Sequence, residues 1–242
     1  MRNLWRTLAV AVLIANAAIA AAQIPTSSSE VVTTPGKQAD RRLLESDTAL
    51  RATIRCSLDR TRTRAKLALA TTPGGKDEAR ILRAYQSFMD WCLQGTSGGG
   101  ISADWQLMRG IFAEELYKRE FGERPVTPNA DSEQAAQRAA AVPVSGGNAE
   151  RMSLAGSARC VVARRPAVVG ELVVSDPFGD GERRAFGKLR ESLAACIDQG
   201  TNATFSRQML RGYLSEAYYH YSVAVKVGFR PINATVAPRK QQ

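Results

Sequence analysis

Four sets of residues have types and spacings that bear on chemistry. The first is Gly95-Thr96-Ser97-Gly98-Gly99, which fits the Gly-x-Ser-x-Gly pattern of a nucleophile elbow. A serine there attacks an acyl carbon while a histidine takes its proton, and His220 is the sole histidine of the chain. The elbow requires a strand before the serine and a helix directly after it. Helical spacing precedes Ser97 instead, and Gly98-Gly99-Gly100 follows. The stretch reads as a flexible loop between helices, without a triad.

The second set is acidic and basic. Arg109 is followed at five positions by Glu114, and Arg211 at five positions by Glu216. Two acids facing a cleft would suit glycoside hydrolysis. Adjacent Glu114 and Glu115 do not meet that geometry, because neighbouring helical residues diverge. An arginine and a glutamate five apart do not share a helix face either, so each needs a partner on another helix. The recurring Arg55 and Arg159, or Arg60 and Arg164, are the expected partners of the glutamates. The four residues are candidates for two polar pockets or for inter-helix ion pairs, and ion pairs are the expectation.

The third set is Tyr213, Tyr218, Tyr219 and Tyr221, with His220 among them. These tyrosines are a candidate binding surface for a stacked sugar or a protein partner. They cover more than one helical face, and core packing with hydroxyls at the rim is the expectation. A lone histidine cannot build a multi-histidine metal site, and no phosphate loop is present, so no metal or cofactor is expected.

The fourth set is Cys56, Cys92, Cys160 and Cys196. Each pair is 36 positions apart. Around them lies an internal repeat. Residues 55 to 92 align without a gap to residues 159 to 196, at an offset of 104. Arg60 matches Arg164, Pro73 matches Pro177, Gly75 matches Gly179, Glu78 matches Glu182 and Arg80 matches Arg184. At an offset of 102, Arg109-Gly110 then matches Arg211-Gly212, Glu114 matches Glu216 and Tyr117 matches Tyr219. A duplicated unit would carry its own bond, so Cys56–Cys92 and Cys160–Cys196 are the expected disulfides.

The elements that must position these residues are helices. The expected fold is all-α, with two tandem homologous units of about four helices each. In the first unit Leu43, Leu50, Ile54 and Leu58 mark a helix from Asp40 that carries Cys56. A short second helix follows at Thr63 to Ala70. Its counterpart after Pro166 is valine-rich, which leaves a strand as an alternative. The third helix steps by 3, 4 and 3 through Leu82, Tyr85, Met89 and Cys92, as Phe186, Leu189, Leu193 and Cys196 do. The fourth runs over about 103–121 and 205–225. It carries Gly110 and Gly212 in mid-helix, where glycine costs ~1 kcal/mol against alanine. Close passage of another backbone, the other unit's fourth helix, is the expected reason.

At the N-terminus, Arg2 and Arg6 precede an apolar run from Leu8 to Ala20 and then small residues. This reads as a signal peptide over residues 1–22, cleaved near Ala22, and it predicts a periplasmic or secreted protein whose cysteines oxidise. Subtracting Arg2 and Arg6 from the formal charge of +10 leaves +8. That balance favours acidic partners. No basic, aromatic-interleaved helix points to nucleic acid. No later stretch is apolar enough to span a bilayer. The expected organisation continues with a disordered leader at 23–39 and unit 1 at 40–121. A linker with room for one short helix follows at 122–149, unit 2 at 150–227, and a flexible tail at 228–242. The expected function is a non-catalytic envelope module that binds a protein or an anionic glycan or lipid. The alternative is a cell-wall or glycan hydrolase using acids in a cleft between the units.

Overall fold

The computed structural model describes residues 37–93, 104–127, 130–140, 149–197 and 206–227. Among these residues there are eight helices and no strand. They are α1 (Lys37–Leu69), α2 (Lys76–Leu93), α3 (Trp105–Phe121), α4 (Ala130–Ala140), α5 (Ala149–Arg164), α6 (Pro166–Val174), α7 (Asp180–Cys196) and α8 (Arg207–Val227). The leading segment with its expected signal peptide, the Ser97 loop and the tail lie outside the described residues. No described helix is long and apolar enough to cross a membrane.

Proline chemistry decides where the second short helix separates. Pro166 has no N–H and disfavours helical backbone at the residue before it. Arg165 accordingly leaves the helix (φ −140°, ψ 54°), and α6 starts afresh with proline in its first turn. The position 104 residues earlier is Thr61, with no proline after it. There the chain only kinks (φ −126°, ψ 21°), and α1 runs on to Leu69. The Thr61 hydroxyl donates to the Ser57 carbonyl at 2.6 Å and competes for it with the backbone ladder. The valine-rich stretch after Pro166 is helical, not a strand. Val169, Leu172 and Val173 turn one face into the core.

The turns before α2 and α7 share a device. Gly74 (φ 75°) and Phe178 (φ 60°) are both left-handed. The Gly74 N–H donates to the Glu78 carboxylate at 2.6 Å, and the Phe178 N–H donates to the Glu182 carboxylate. An acid in the first helical turn thereby holds the turn that precedes it. Glycine takes this backbone freely, whereas phenylalanine does so only under constraint.

The core runs continuously from α1 to α8. At its centre α3 packs against α8. Ile111, Phe112 and Leu116 contribute from one helix, and Leu214, Tyr218 and Tyr221 from the other. Gly110 and Gly212 meet at this crossing, with the Gly110 Cα 3.4 Å from where a Cβ on Gly212 would sit. Helix α1 covers α2 and α3, while α4, α5 and α6 cover α8. In α7 the buried row is Ala185, Leu189, Ser192 and Cys196, not the expected row through Phe186 and Leu193, which stay half-buried beside it.

One boundary differs from expectation. Helix α1 begins at Lys37, inside the segment read as leader. The segment read as linker holds α4, whose Ala136 is fully buried. The helix packs against α8.

Both expected disulfides are present. Cys56 on α1 joins Cys92 on α2 with Cα atoms 6.0 Å apart, and Cys160 on α5 joins Cys196 on α7 at 5.7 Å. Each closes a separation of 36 residues, so each stabilises by ~4 kcal/mol on chain-entropy grounds. Reduction by dithiothreitol is therefore expected to lower the urea midpoint sharply. A Cys56→Ser/Cys92→Ser variant should lose about half of what full reduction removes. A midpoint indifferent to dithiothreitol would contradict this.

Candidate functional site

The expected polar residues gather into two buried clusters across the α3–α8 crossing. In the first, the Arg109 Nε donates to Glu216 Oε2 at 3.0 Å, and its Nη2 pairs with Glu216 Oε1. Its Nη1 donates to Glu78 at 3.0 Å, to the Ala68 carbonyl at 2.7 Å and to the Thr71 hydroxyl at 3.1 Å. Its Nη2 also reaches the Thr71 carbonyl at 3.1 Å. These carbonyls lie at and just past the end of α1, where a helix leaves acceptors unpaired. One guanidinium thus caps α1 and binds α8.

The second cluster is the reciprocal. Arg211 Nε donates to Glu114 Oε1 at 2.7 Å, and its Nη2 donates to Glu114 Oε2 at 3.2 Å. Nη2 also donates to the Ser175 carbonyl, which ends α6, at 2.7 Å. Glu182 lies 3.8 Å from Nη1. Glu114 takes two further donors, Arg51 Nη1 at 2.5 Å and the Ser215 hydroxyl at 3.0 Å. Arg51 is held in turn by Asp47 at 2.6 Å. Each arginine reaches the helix end of its own half of the chain and the glutamate of the other half.

The expected partners of the glutamates are corrected here. Glu114 takes Arg51 rather than Arg55 or Arg60, because Arg51 lies one turn earlier on the inner face of α1. Arg55 pairs instead with Glu115 at 2.9 Å, and Arg60 stacks on Trp91. Arg159 feels Glu216 electrostatically while burial draws its own pKa down. Arg164 is exposed.

Charge balance sets the protonation states. Burial alone would raise the Glu114 carboxyl, but Arg211 and Arg51 outweigh it and hold the pKa at about 2. Glu216 is likewise held well below the usual carboxylate range. Burial opposes this, and Arg109 with hydrogen bonding from His220 prevails. Arg109 and Arg51 rise despite burial, because of Glu216 and Glu78 in one case and Glu114 and Asp47 in the other. Both glutamates are therefore buried carboxylates whose acceptor positions are filled by arginine together with Ser215 or Gln106. A glycosidase acid needs a raised pKa and an open face, and neither Glu114 nor Glu216 has them.

Of the two readings of the tyrosines, the structure has core packing, not the candidate surface. Tyr213, Tyr218, Tyr219 and Tyr221 are all at least 95% buried. Helix α8 is covered by α3, α4, α5 and α6, so its side chains are enclosed on several faces, and aromatic residues all round are what such a helix needs. Tyr218 accepts from the Val126 N–H at 3.0 Å, and Tyr117 donates to the Arg124 carbonyl at 2.6 Å. These two hydroxyls strap residues 124–126 over the core. Among the described residues no group of three or more His, Cys, Asp or Glu side chains is placed to hold a metal ion.

Glu78, Glu182, Arg51 and Ser175 complete the clusters and were not singled out as polar-site residues. Glu78 and Glu182 did carry a signal, since they recur in one register at the start of a helix. Arg51 carried none, because it lies outside the matched span. Comparison with protein-family models, with curated proteins and with solved structures returned no match.

These pKa directions set a pH dependence. Glu114 and Glu216 have folded values below the unfolded value of about 4.3, so their stabilisation is present above that pH and is lost as pH falls toward about 2. Glu182 works in the opposite sense. Burial raises its pKa against the pull of Arg211, so its protonation on acidification relieves a cost. Two strongly paired acids outweigh one. The urea midpoint is expected to be flat from about pH 7 to 5 and to fall steeply below about 4. A midpoint that rises on acidification would contradict the assignment.

Proposed function

We propose that this chain is an exported, non-catalytic helical module of the cell envelope that binds an acidic partner. In this reading residues 1–22 are a signal peptide, cleaved near Ala22. The mature chain is two tandem homologous units that share one core about a pseudo-twofold axis through the α3–α8 crossing. Support for the duplication is the shared register around the cysteines. The reciprocal contacts of Arg109 with Glu216 and Arg211 with Glu114 add to it.

One observation carries the functional reading. The recurring charged pairs Arg109–Glu216 and Arg211–Glu114, and the tyrosines of α8, are consumed in holding the fold together. What remains for function is the exposed surface, and the chain without Arg2 and Arg6 is strongly basic, +10 less 2 being +8. The hydrolase alternative loses its named acids, Glu114 and Glu216, to arginine pairing.

Formaldehyde crosslinking in intact cells, followed by purification of the tagged protein, tests this. The expected result is a reproducible partner in the envelope fraction and an N-terminus at Gln23. A full-length protein in the cytosolic fraction would end the export reading. Turnover of peptidoglycan or glycan by the purified protein would end the non-catalytic one.

A further inference from the structure

We infer that the outer face formed by the second half of α1 and the end of α2 is a docking surface for an acidic segment of a partner protein. The inference rests on the binding-module reading and names its surface and its chemistry. Arg64 and Leu67, three positions apart, share a face of α1 beyond its kink, and Arg60 just before the kink faces α2 as Arg64 does. Opposite them, Phe88 and Trp91 share a face of α2. The Arg60 guanidinium lies 3.8 Å from the centre of the Trp91 ring, and that of Arg64 lies 4.9 Å from the centre of the Phe88 ring. Arg60, Arg62, Arg64 and Phe88, with Asp59, Thr61 and Thr63, line a shallow concavity of about 590 Å³ at the kink of α1.

Its charge is uncompensated. No carboxylate among the described residues pairs with Arg60, Arg62 or Arg64. Asp59, the one acid of the lining, is held by Arg119 at 2.6 Å. Apolar exposure coincides with this charge. Trp91 is 49% and Leu67 47% exposed, the two most exposed large apolar side chains of the described chain. Packing does not require the patch. At the offset of 104 the positions of Arg62, Arg64, Leu67, Phe88 and Trp91 are Pro166, Val168, Glu171, Ser192 and Ala195. The second half folds around its own disulfide with none of these five residues.

The chemistry selects the occupant. A guanidinium stacked flat on a ring keeps its edge N–H groups for a carboxylate and is held in place to offer them. Leu67 and the uncovered edge of Trp91 suit an apolar side chain beside that carboxylate. A bilayer would need rings free to insert, whereas each ring here carries a guanidinium over one face. A free phosphate would leave Leu67 and Trp91 without a role.

Photocrosslinking in intact cells tests the surface, with benzoylphenylalanine placed at Phe88 or, on the far half, at Lys188. The expected result is a protein crosslink from position 88. It should vanish in Arg60→Glu/Arg64→Glu and persist in Arg80→Glu. A crosslink from 188 alone would overturn this surface and leave the binding-module reading standing. Crosslinks from neither position, with no partner recovered by formaldehyde, would overturn both. NMR titration of the oxidised protein with a short peptide alternating glutamate and leucine tests the chemistry. The Trp91 indole N–H should shift, with binding at least ~10-fold weaker in the double reversal and lost with a glutamine–leucine peptide. Equal binding by the double-reversal variant would overturn the proposal. So would phosphatidylglycerol vesicles that bind where the peptide does not.

Discussion

Gly110→Ala is expected to destabilise the fold by about 3 kcal/mol or more, although alanine is the better helix former. A Cβ at residue 110 would land on the Cα of Gly212, 2.8 Å from its carbonyl carbon and 3.0 Å from its oxygen. All three atoms are backbone, so no side chain can swing away. Relief requires α3 and α8 to separate, and that opens the centre of the core. Gly212→Ala offers the internal control. Its Cβ meets nothing nearer than the Gly110 Cα at 3.4 Å, an ordinary contact. The gain in helix propensity, ~1 kcal/mol, then offsets much of any local adjustment. Urea unfolding followed by circular dichroism should separate the two variants widely. Equal midpoints would mean that the crossing slides freely and that the glycines do not set it.

The second large effect is expected at Arg109. Arg109→Met should cost about 3–5 kcal/mol, because it strands the buried Glu216 and Glu78 carboxylates and the capped carbonyls of α1. Glu216→Gln should cost less, since the amide still accepts from Gln106 and Arg109 through its oxygen. The double variant Arg109→Met/Glu216→Met should recover part of the loss, because the pair is then removed rather than broken. Arg55→Ala is the contrast. Its partner Glu115 is buried, but the Arg55 side chain is 55% exposed and solvent screens the pair, so a loss under about 1 kcal/mol is expected. A double-mutant cycle on Arg109 and Glu216 with no coupling would show that the cluster is not a unit.

These two sites differ in how far the sequence announced them. Glycine at the same place in two matched helices has few explanations, because a helix interior tolerates glycine poorly and gains from it only when another backbone comes near. Arg109 and Glu114 were legible as residues that need partners elsewhere, since a spacing of five puts them on different faces. Their partners were not legible. A helix face names a direction but not the neighbour that fills it, and Arg51 lies outside the matched span. The tyrosines of α8 left two readings open for a related reason. Apolar residues on several faces look like a surface when a helix is assumed to have one partner. Helix α8 has four, so enclosure and exposure leave the same pattern in sequence.

By itself the sequence determined the helical class, through 3.6-residue spacing, and the two disulfides, through a register repeated around both cysteine pairs. It also placed the break before α6, because proline acts on its immediate neighbours. Only the tertiary structure decided that each central arginine serves the other half's glutamate and that the presumed linker contributes α4 to the core. It alone decided that Arg60 and Arg64 lie across the rings of α2. Local chemistry acts over one or two turns and is written in consecutive residues. Pairing between helices depends on crossing angle and distance, which no spacing within a single helix encodes.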